Sequence, residues 1–534
     1  MLGGMQDFEL RVPRLIDHAA REHGRREIVS RWADGSETRT DWAGVAGDAR
    51  RLAQALVHLG LKPGDRVATL AMNHAHHLAA WYGAIGMGGV IHTINPRLFD
   101  DQLVFIANHA EDRVLLYDRV FQPIVDRLRG RFVTIEHYVV MDGAKDEEGG
   151  EGTFRALVDA EDGDYAWVEG PERDPCMLCY TSGTTGNPKG VLYTHRSSVI
   201  HAMAELQPAV FNLDTRSVIL PIVPMFHAAA WGLPFAGAAA GCKYVFSAVN
   251  EPAVLCDLMN RERVTHSAGV PTVWLGLFAH MDATGAAPEH LQLVTIGGSA
   301  APRAMIERIM RMGVRVNHAW GMTETSPIGT MGARSPDWDE LSFDQQVDQV
   351  SMQGRVPFGV ELRVVDEDGV VQPRDGKSSG RLQVRGPWVI QAYFQDAAGS
   401  VLEDGWFDTG DVAHIDPSGY MQITDRAKDV IKSGGEWISS VELENAAVGH
   451  PAVAEAAAIG VYHPKWDERP LLLVVRKPGA TVTPAEITEH LATHVARWWL
   501  PDEIVFVEEL PHTATGKLLK TALRERYKDH RLAA

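Results

Sequence analysis

Residues 180–191, Tyr-Thr-Ser-Gly-Thr-Thr-Gly-Asn-Pro-Lys-Gly-Val, constrain this chain more than any other stretch. They continue Cys176-Met177-Leu178-Cys179, so an apolar strand runs directly into a loop of small and hydroxylated residues. Gly183, Gly186 and Gly190 let the backbone turn tightly and come close to a ligand. Thr181, Ser182, Thr184 and Thr185 add hydroxyls, and Lys189 adds a cation. A loop so equipped can surround a polyphosphate with N–H, O–H and ammonium donors. It is not a Walker-type loop, because Lys189 follows Pro188 rather than Gly and no Ser or Thr comes after it. A polar surface turn uses the same residue types, but their density in one short run argues against it.

At 534 residues the chain exceeds the size at which one hydrophobic core keeps growing, so two or more domains are expected. Lys and Arg number 51 against 70 Asp and Glu, a net charge of −19. That balance argues against general nucleic-acid or anionic-membrane binding, and an anionic ligand needs locally concentrated cations. Cys176 and Cys179 form a CxxC, but no second pair at zinc spacing follows, and an apolar strand is the better place for them. Four cysteines without framework spacing fit a reducing cytoplasm, and the first residues show no secretory pattern. Residues 217–242 carry one lone histidine and no acid, but Pro221, Pro224 and Pro234 interrupt them. Strand, loop and buried helix suit that stretch better than a membrane span, which needs about 20 continuous apolar residues.

Val12, Leu15, Ile16, Ala19 and Ala20 have the spacing of an amphipathic helix. Apolar strands are expected over 67–72, 114–117, 138–141, 218–223 and 293–296, between helical stretches, which points to α/β layers with buried sheets. Residues 144–152 read as a solvated loop, and from 354 the texture turns strand-rich, over 361–366, 380–386 and 420–425. A last stretch follows Asp425, long enough for a small domain, with helix 441–448, strands 452–461 and 471–476, helix 484–497, strand 504–507 and a closing helix. The boundary is placed at 426–428, giving units 1–426 and 427–534.

Further stretches carry chemistry. In His318-Ala319-Trp320-Gly321-Met322-Thr323-Glu324, the indole offers a flat face for a purine, Thr323 a donor to phosphate and Glu324 a hard oxygen for Mg²⁺. By itself the pattern also fits a strand end with a surface acid. In Trp406-Phe407-Asp408-Thr409-Gly410-Asp411, the last carboxylate suits ribose hydroxyls, although Asp also caps turns. Asp425-Arg426-Ala427-Lys428-Asp429 reads alone as a charged linker, and the lysine of Thr515-Gly516-Lys517 as a solvated terminal residue.

Taken together, these stretches resemble the adenylate-forming superfamily: acyl-CoA synthetases, luciferases and the adenylation domains of peptide synthetases. The resemblance covers nearly the whole chain, with its signatures in the family's order, and lies nearest the bacterial medium- and long-chain fatty acyl-CoA synthetases. It implies a large N-terminal domain of layered α/β sheets with a β-barrel-like part, and a small mobile C-terminal α+β domain. It implies that ATP is held by the 181–189 loop, by Gly298, Ser299 and Ala300, by His318 and Trp320 through Thr323, and by Asp411, Ile423 and Arg426. Mg²⁺ would lie on Thr184 and Glu324, Lys517 would be the catalytic lysine, and Lys428 would be the hinge. Lys432-Ser433-Gly434-Gly435-Glu436-Trp437 resembles the loop along the pantetheine arm of CoA, and Lys520 is left as a CoA-phosphate contact or a surface charge.

The acyl site implied is His227 beside the activated carboxylate, Ala228 and Ala229 on the pocket wall, Trp231 as gate, and Gly298 and Gly321. Relatives usually carry Val-Asn where this chain has Ala228-Ala229, so a reshaped pocket is expected, open to branched, aryl or short thioether acids such as 3-methylthiopropionate. The activity implied is ATP-dependent activation of a carboxylic acid, foremost a medium-chain fatty acid, to acyl-AMP and then to acyl-CoA. An adenylating enzyme with another acceptor, a luciferase-like oxidase and a non-catalytic nucleotide binder are the alternatives. The family also implies a homodimer.

Overall fold

The structure, a computed structural model, describes residues 3–142, 152–181, 187–396, 404–434, 436–512 and 518–532. Ser182, Gly183, Thr184, Thr185, Gly186, Gly435 and Lys517 lie outside the described residues, as do 144–151 and the side chains of Glu436 and Trp437.

Uninterrupted apolar runs become the inner strands of two parallel sheets, because a strand covered on both faces has no wet side to keep polar. In the first sheet the order is His137–Val140, Asp112–Tyr117, Arg66–Leu70, Val90–Thr93, Pro175–Tyr180 and Gly190–Thr194, parallel except for the final pair. In the second it is Ile328–Met331, Arg315–Gly321, Leu293–Ile296, His266–Gly269, Val218–Pro221, Lys243–Ser247, Glu27–Arg31 and Glu37–Asp41. Only the pairs at its two edges are antiparallel. Helices Trp42–His58 and Ala75–Gly86 pack together and join the core shared by both sheets. Cys176 and Cys179 are buried thiols of a core strand, as expected. Residues 217–242 form a strand, an irregular turn and the buried helix Leu233–Ala240.

Where a barrel-like part was expected, the structure has a four-stranded antiparallel sheet, Glu361–Val365, Gly380–Arg385, Phe407–Ile415 and Met421–Arg426, whose ladders join successive strands. It is joined to the second sheet where Gln353 and Gly354 bond Met421 while Arg355 bridges to Met331. The last unit packs helices Ser440–Val448 and Pro484–Leu491 on a separate sheet with its own core. Helix Pro484–Leu491 is shorter than expected. Thr493 bonds back to the His490 carbonyl and the chain turns before Arg497–Trp499.

Helix His195–Glu205 leaves strand Gly190–Thr194 without a connecting loop, because Thr194 and Ser197 cap its first turn reciprocally. Its last residue, Glu205, is fully buried, and neither carboxyl oxygen has a hydrogen bond among the described residues. The nearest ionisable partner is His201 Nδ1 at 3.6 Å. Burial alone pushes the Glu205 carboxyl well up. The folded state therefore keeps a proton that the unfolded chain releases above about pH 4.3, and stability falls as pH rises from there towards the elevated folded value. Glu205→Gln removes that dependence. Thermal unfolding should show the variant gaining on the native protein by up to ~1.4 kcal/mol per pH unit in this window, and an equal shift at every pH contradicts the assignment.

Candidate active site

The phosphate-loop candidate emerges between two antiparallel strands, and its neck is closed by backbone contacts. Thr181 N–H donates to the Lys189 carbonyl at 2.9 Å, and Lys189 N–H donates to Thr181 Oγ1 at 3.2 Å. The Lys189 ammonium lies 4.6 Å from the centroid of the Tyr393 ring. The next residue, Phe394, donates its N–H to the Gly190 carbonyl at 2.8 Å. On the entering strand, Tyr180 Oη lies 2.6 Å from His109 Nδ1, and Gln395 Nε2 reaches the His109 carbonyl at 3.3 Å. Residues 393–395 thus bind both flanks of the loop.

Strand Arg315–Gly321 delivers His318 and Trp320 to the same edge. His318 Nε2 accepts the Ala301 N–H at 3.2 Å, which leaves Nδ1 to donate to the Ser351 carbonyl at 3.0 Å. Burial lowers its pKa to about 4, so it stays neutral in that tautomer and holds the 298–301 segment. Trp320 donates its indole N–H to Asp411 Oδ2 at 2.8 Å. One face of the ring lies on Gly329, where an added Cβ would come within 2.2 Å of the indole. Only 8% of the residue is exposed, so its clearest role here is to orient Asp411. Arg426 pairs with Asp411 across the antiparallel ladder, its Nε 3.8 Å from Oδ1. Ile423 donates its N–H to Gln353 Oε1 at 2.7 Å.

Past Trp320 the chain turns through Thr323–Thr325. Thr323 is buried, and its carbonyl accepts the Tyr193 hydroxyl at 2.7 Å. Glu324 is 6% exposed; its carbonyl accepts the Ile390 N–H at 2.8 Å and its Oε1 accepts the Tyr393 hydroxyl at 2.7 Å. Glu324 and Lys189, from different sheets, therefore meet on one tyrosine.

In the acyl segment, His227 is half-buried and its N–H donates to the Pro224 carbonyl at 3.1 Å. Ala228, Ala229, Ala230 and Trp231 all have positive φ, 44°, 54°, 47° and 59°. A left-handed turn costs L-residues roughly 1–2 kcal/mol each, least tolerably for branched side chains, and alanine is the smallest that still packs. Ala228 and Ala229 are buried. The turn throws the Trp231 ring against Gly297, where a Cβ would lie 3.3 Å from Cη2. The gate candidate thus touches the segment that leads into Gly298, Ser299 and Ala300.

The small unit is tied to residues 424–425. Asp425 is buried and accepts from Ser440 N at 2.7 Å and Ser440 Oγ at 2.6 Å, while the Ser439 hydroxyl bonds the Thr424 carbonyl. Lys520 is neither a surface charge nor an exposed contact. It is 8% exposed, donates to Ser440 Oγ at 2.5 Å and pairs with Glu444 at 2.7 Å. Burial opposes its charge, but Glu444 and Asp425 outweigh burial and raise its pKa. The spacing after Thr-Gly-Lys could not reveal this, because Lys520 opens the closing helix with its side chain turned inward. Lys428 is exposed in the turn after strand Met421–Arg426. Lys432 and Ser433 lie on a short hairpin, with Ser433 Oγ accepting from Arg469, and Gly434 N–H bonds the Trp466 carbonyl.

The structure brings Lys189, Glu324, Trp320, Asp411 and Arg426 to linked positions and sets Trp231 against the adjoining Gly297. Sequence reasoning missed Tyr393, Gln353 and His109. The one signal for Tyr393 was the non-periodic, aromatic-rich stretch 388–394 after Gly386-Pro387.

The AMP-binding enzyme model matches residues 16–394, and the AMP-binding enzyme C-terminal domain model matches 442–517. The chain belongs to the AMP-binding enzymes. It is 48% identical over 536 residues to a 3-methylmercaptopropionyl-CoA ligase of Ruegeria lacuscaerulensis, covering 99% of each chain. It is also 48% identical over 535 residues to a medium-chain-fatty-acid–CoA ligase of Ectopseudomonas oleovorans, covering 99% and 98%. ATP-bound MatB from Rhodopseudomonas palustris superposes with a TM-score of 0.82 at 26% identity, over 98% of this chain and 99% of that one.

Trp320→Phe keeps an aromatic ring, smaller than the indole, and removes the Asp411 donor. Hydrogen bonds to a charged group are worth ~1.5–3 kcal/mol, so AMP affinity by calorimetry should fall about 10-fold or more. Unchanged affinity would show that Asp411 needs no such orientation.

Proposed function

We propose that the protein is an AMP-forming acyl-CoA ligase whose preferred acid is a medium-chain fatty acid. The observation that carries this reading is the meeting of Lys189 and Glu324 on Tyr393, one turn from the Trp320–Asp411 contact. Cation and hard oxygen ligand meet on one side chain, and the ribose-type carboxylate is held by Trp320, four residues before Glu324, which supports nucleotide activation of an acid. The family match and the CoA ligases at 48% identity support it. A short thioether acid is the second reading, favoured because one of those relatives is named for 3-methylmercaptopropionate and because small Ala228 and Ala229 line the turn at Trp231.

A carboxylate resists nucleophiles because it is charged and has no adequate leaving group. Its oxygen attacks the α-phosphorus of ATP, the bond to pyrophosphate breaks, and the acyl carbon acquires AMP as leaving group. Negative charge spreads over the phosphate oxygens, so donors fixed beforehand lower the barrier. Lys189, the hydroxyls of Thr181, Ser182, Thr184 and Thr185, and Lys517 are the donors assigned here. Glu324, a nearly buried carboxylate and so a hard-oxygen ligand, suits Mg²⁺, with Thr184 assigned as second ligand. Mg²⁺ held there supplies further positive charge to the polyphosphate. Asp411 and Arg426 orient the ribose, His227 lies beside the carboxylate, and Ala228, Ala229, Trp231, Gly298 and Gly321 bound the acyl chain.

The CoA thiol then attacks the acyl carbon, AMP departs and the thiol proton leaves to solvent. Lys432, Ser433, Gly434, Gly435, Glu436 and Trp437 guide the pantetheine arm. Rotation of the 427–534 unit at Lys428 exchanges the Lys517 segment for that loop, and such a step commonly limits turnover. Residence in the cytoplasm and a homodimer complete the reading. Four buried free thiols accord with a reducing compartment, and among the described residues no helix is long and apolar enough to cross a membrane.

Two measurements test this. In a panel from acetate to palmitate with thioether and aryl acids, AMP release should depend on acid and CoA and peak at medium chain length. ADP, or AMP without thioester, contradicts the ligase. Lys517→Ala should lower adenylate formation by about 100-fold or more while sparing thioester formation from supplied acyl-AMP. Equal loss of both steps removes Lys517 from its role.

A further inference from the structure

Tyr393 belongs to none of the motifs assigned above, yet its side chain contacts two of their charged members. Its hydroxyl donates to Glu324 Oε1 at 2.7 Å, and its ring centroid lies 4.6 Å from the Lys189 ammonium. We propose that Tyr393 is a positioning residue for adenylation: one rigid side chain seats the phosphate-loop lysine on its face and steadies the Glu324 carboxylate with its hydroxyl, fixing the two before ATP arrives. The inference rests on the nucleotide site proposed above and adds the residue that sets its spacing.

The surroundings make the ring a fixed reference. Ile390 N–H bonds the Glu324 carbonyl, Phe394 N–H bonds the Gly190 carbonyl and Gln395 reaches His109, so the segment is held before and after Tyr393. The Phe407 ring meets Tyr393 edge-on, 6.4 Å between centroids and 77° between planes. Facing a carboxylate, which only accepts, the phenol hydroxyl is the donor of this pair. Lys189 is an exposed lysine on a long flexible stem, and free rotation would spread its ammonium over many positions. A cation–π seat narrows that spread at modest cost, because an exposed contact is worth about 0.5–1 kcal/mol and phosphate can outcompete it. The phenol gives the carboxylate one hydrogen bond and, being neutral, leaves its negative charge for a divalent ion.

The two contacts separate experimentally. ATP binding is measured by calorimetry on the full chain without acid or CoA, so nothing turns over, once with Mg²⁺ and once with EDTA. Unfolding midpoints are recorded alongside. In Tyr393→Phe the ring stays and the hydroxyl goes. The factor by which Mg²⁺ tightens ATP binding should fall about 10-fold, while the affinity in EDTA stays at the native value. In Tyr393→Leu the ring also goes, and the affinity in EDTA should fall by a further factor of about 3–5. A native Mg²⁺ effect in Tyr393→Phe, or an equal loss with and without Mg²⁺, overturns the role of the hydroxyl. Native affinity in EDTA for Tyr393→Leu overturns the seat for Lys189. Should the unaltered protein bind no ATP, the nucleotide site itself is wrong, a result distinct from either.

Discussion

A carboxylate that is only 6% exposed is costly unless it is hydrogen-bonded, and Glu324 is therefore the point around which the proposed nucleotide site is arranged. It leaves the second sheet directly after strand Arg315–Gly321. Its partner Tyr393 comes from the segment that leads out of the antiparallel sheet, and that tyrosine also meets Lys189 from the first sheet. Three separately hydrogen-bonded sheets are thus registered against one another at a polar contact. Apolar packing, which is non-directional, can bring sheets together but does not fix their mutual position to the accuracy that chemistry on a phosphate demands.

The acidic balance of the chain gives this arrangement its purpose. With a net charge of −19, the protein has no general attraction for a polyanion, and affinity must come from cations and N–H groups placed one by one. Asp411, held by the Trp320 N–H and faced by Arg426, suits the sugar rather than the phosphates. A different polar knot, Asp425 with Ser440, Lys520 and Glu444, fastens the small unit to residues 424–425. Under the proposed mechanism a rotation at Lys428 breaks the Asp425–Ser440 and Thr424–Ser439 bonds, so part of the work of exchange is done in the hinge strand itself. Lys520 and Glu444 both belong to the unit that the proposal sets in motion, so their pair would stay intact.

Much of this was legible in the sequence, for identifiable reasons. Continuous apolar runs such as Leu293–Ile296 read as buried parallel strands because both faces need the same chemistry. The strand that enters the 180–191 run was legible too, because 176–179 is apolar, while the loop's role as a ligand cradle stays a proposal. Resemblance assigned Asp411 and Glu324, and the structure supplies their holders. What stayed hidden were contacts between residues distant in sequence. Nothing local marks Tyr393 as the partner of Glu324 or Gln353 as that of Ile423. Lys520 was misjudged because a lysine's burial depends on Glu444, which lies on a different helix. Trp320 presented itself as a stacking face, whereas its N–H and the closeness of Gly329 decide how it sits.

In the proposed mechanism an acid is activated by attack of its own oxygen on the α-phosphorus of ATP. A carboxylate labelled with heavy oxygen, incubated with the protein, ATP and CoA, tests it directly by mass spectrometry of the products. AMP should carry one labelled oxygen, pyrophosphate none, and the acyl thioester should keep the other label. Unlabelled AMP, or label in any phosphate other than that of AMP, would contradict it.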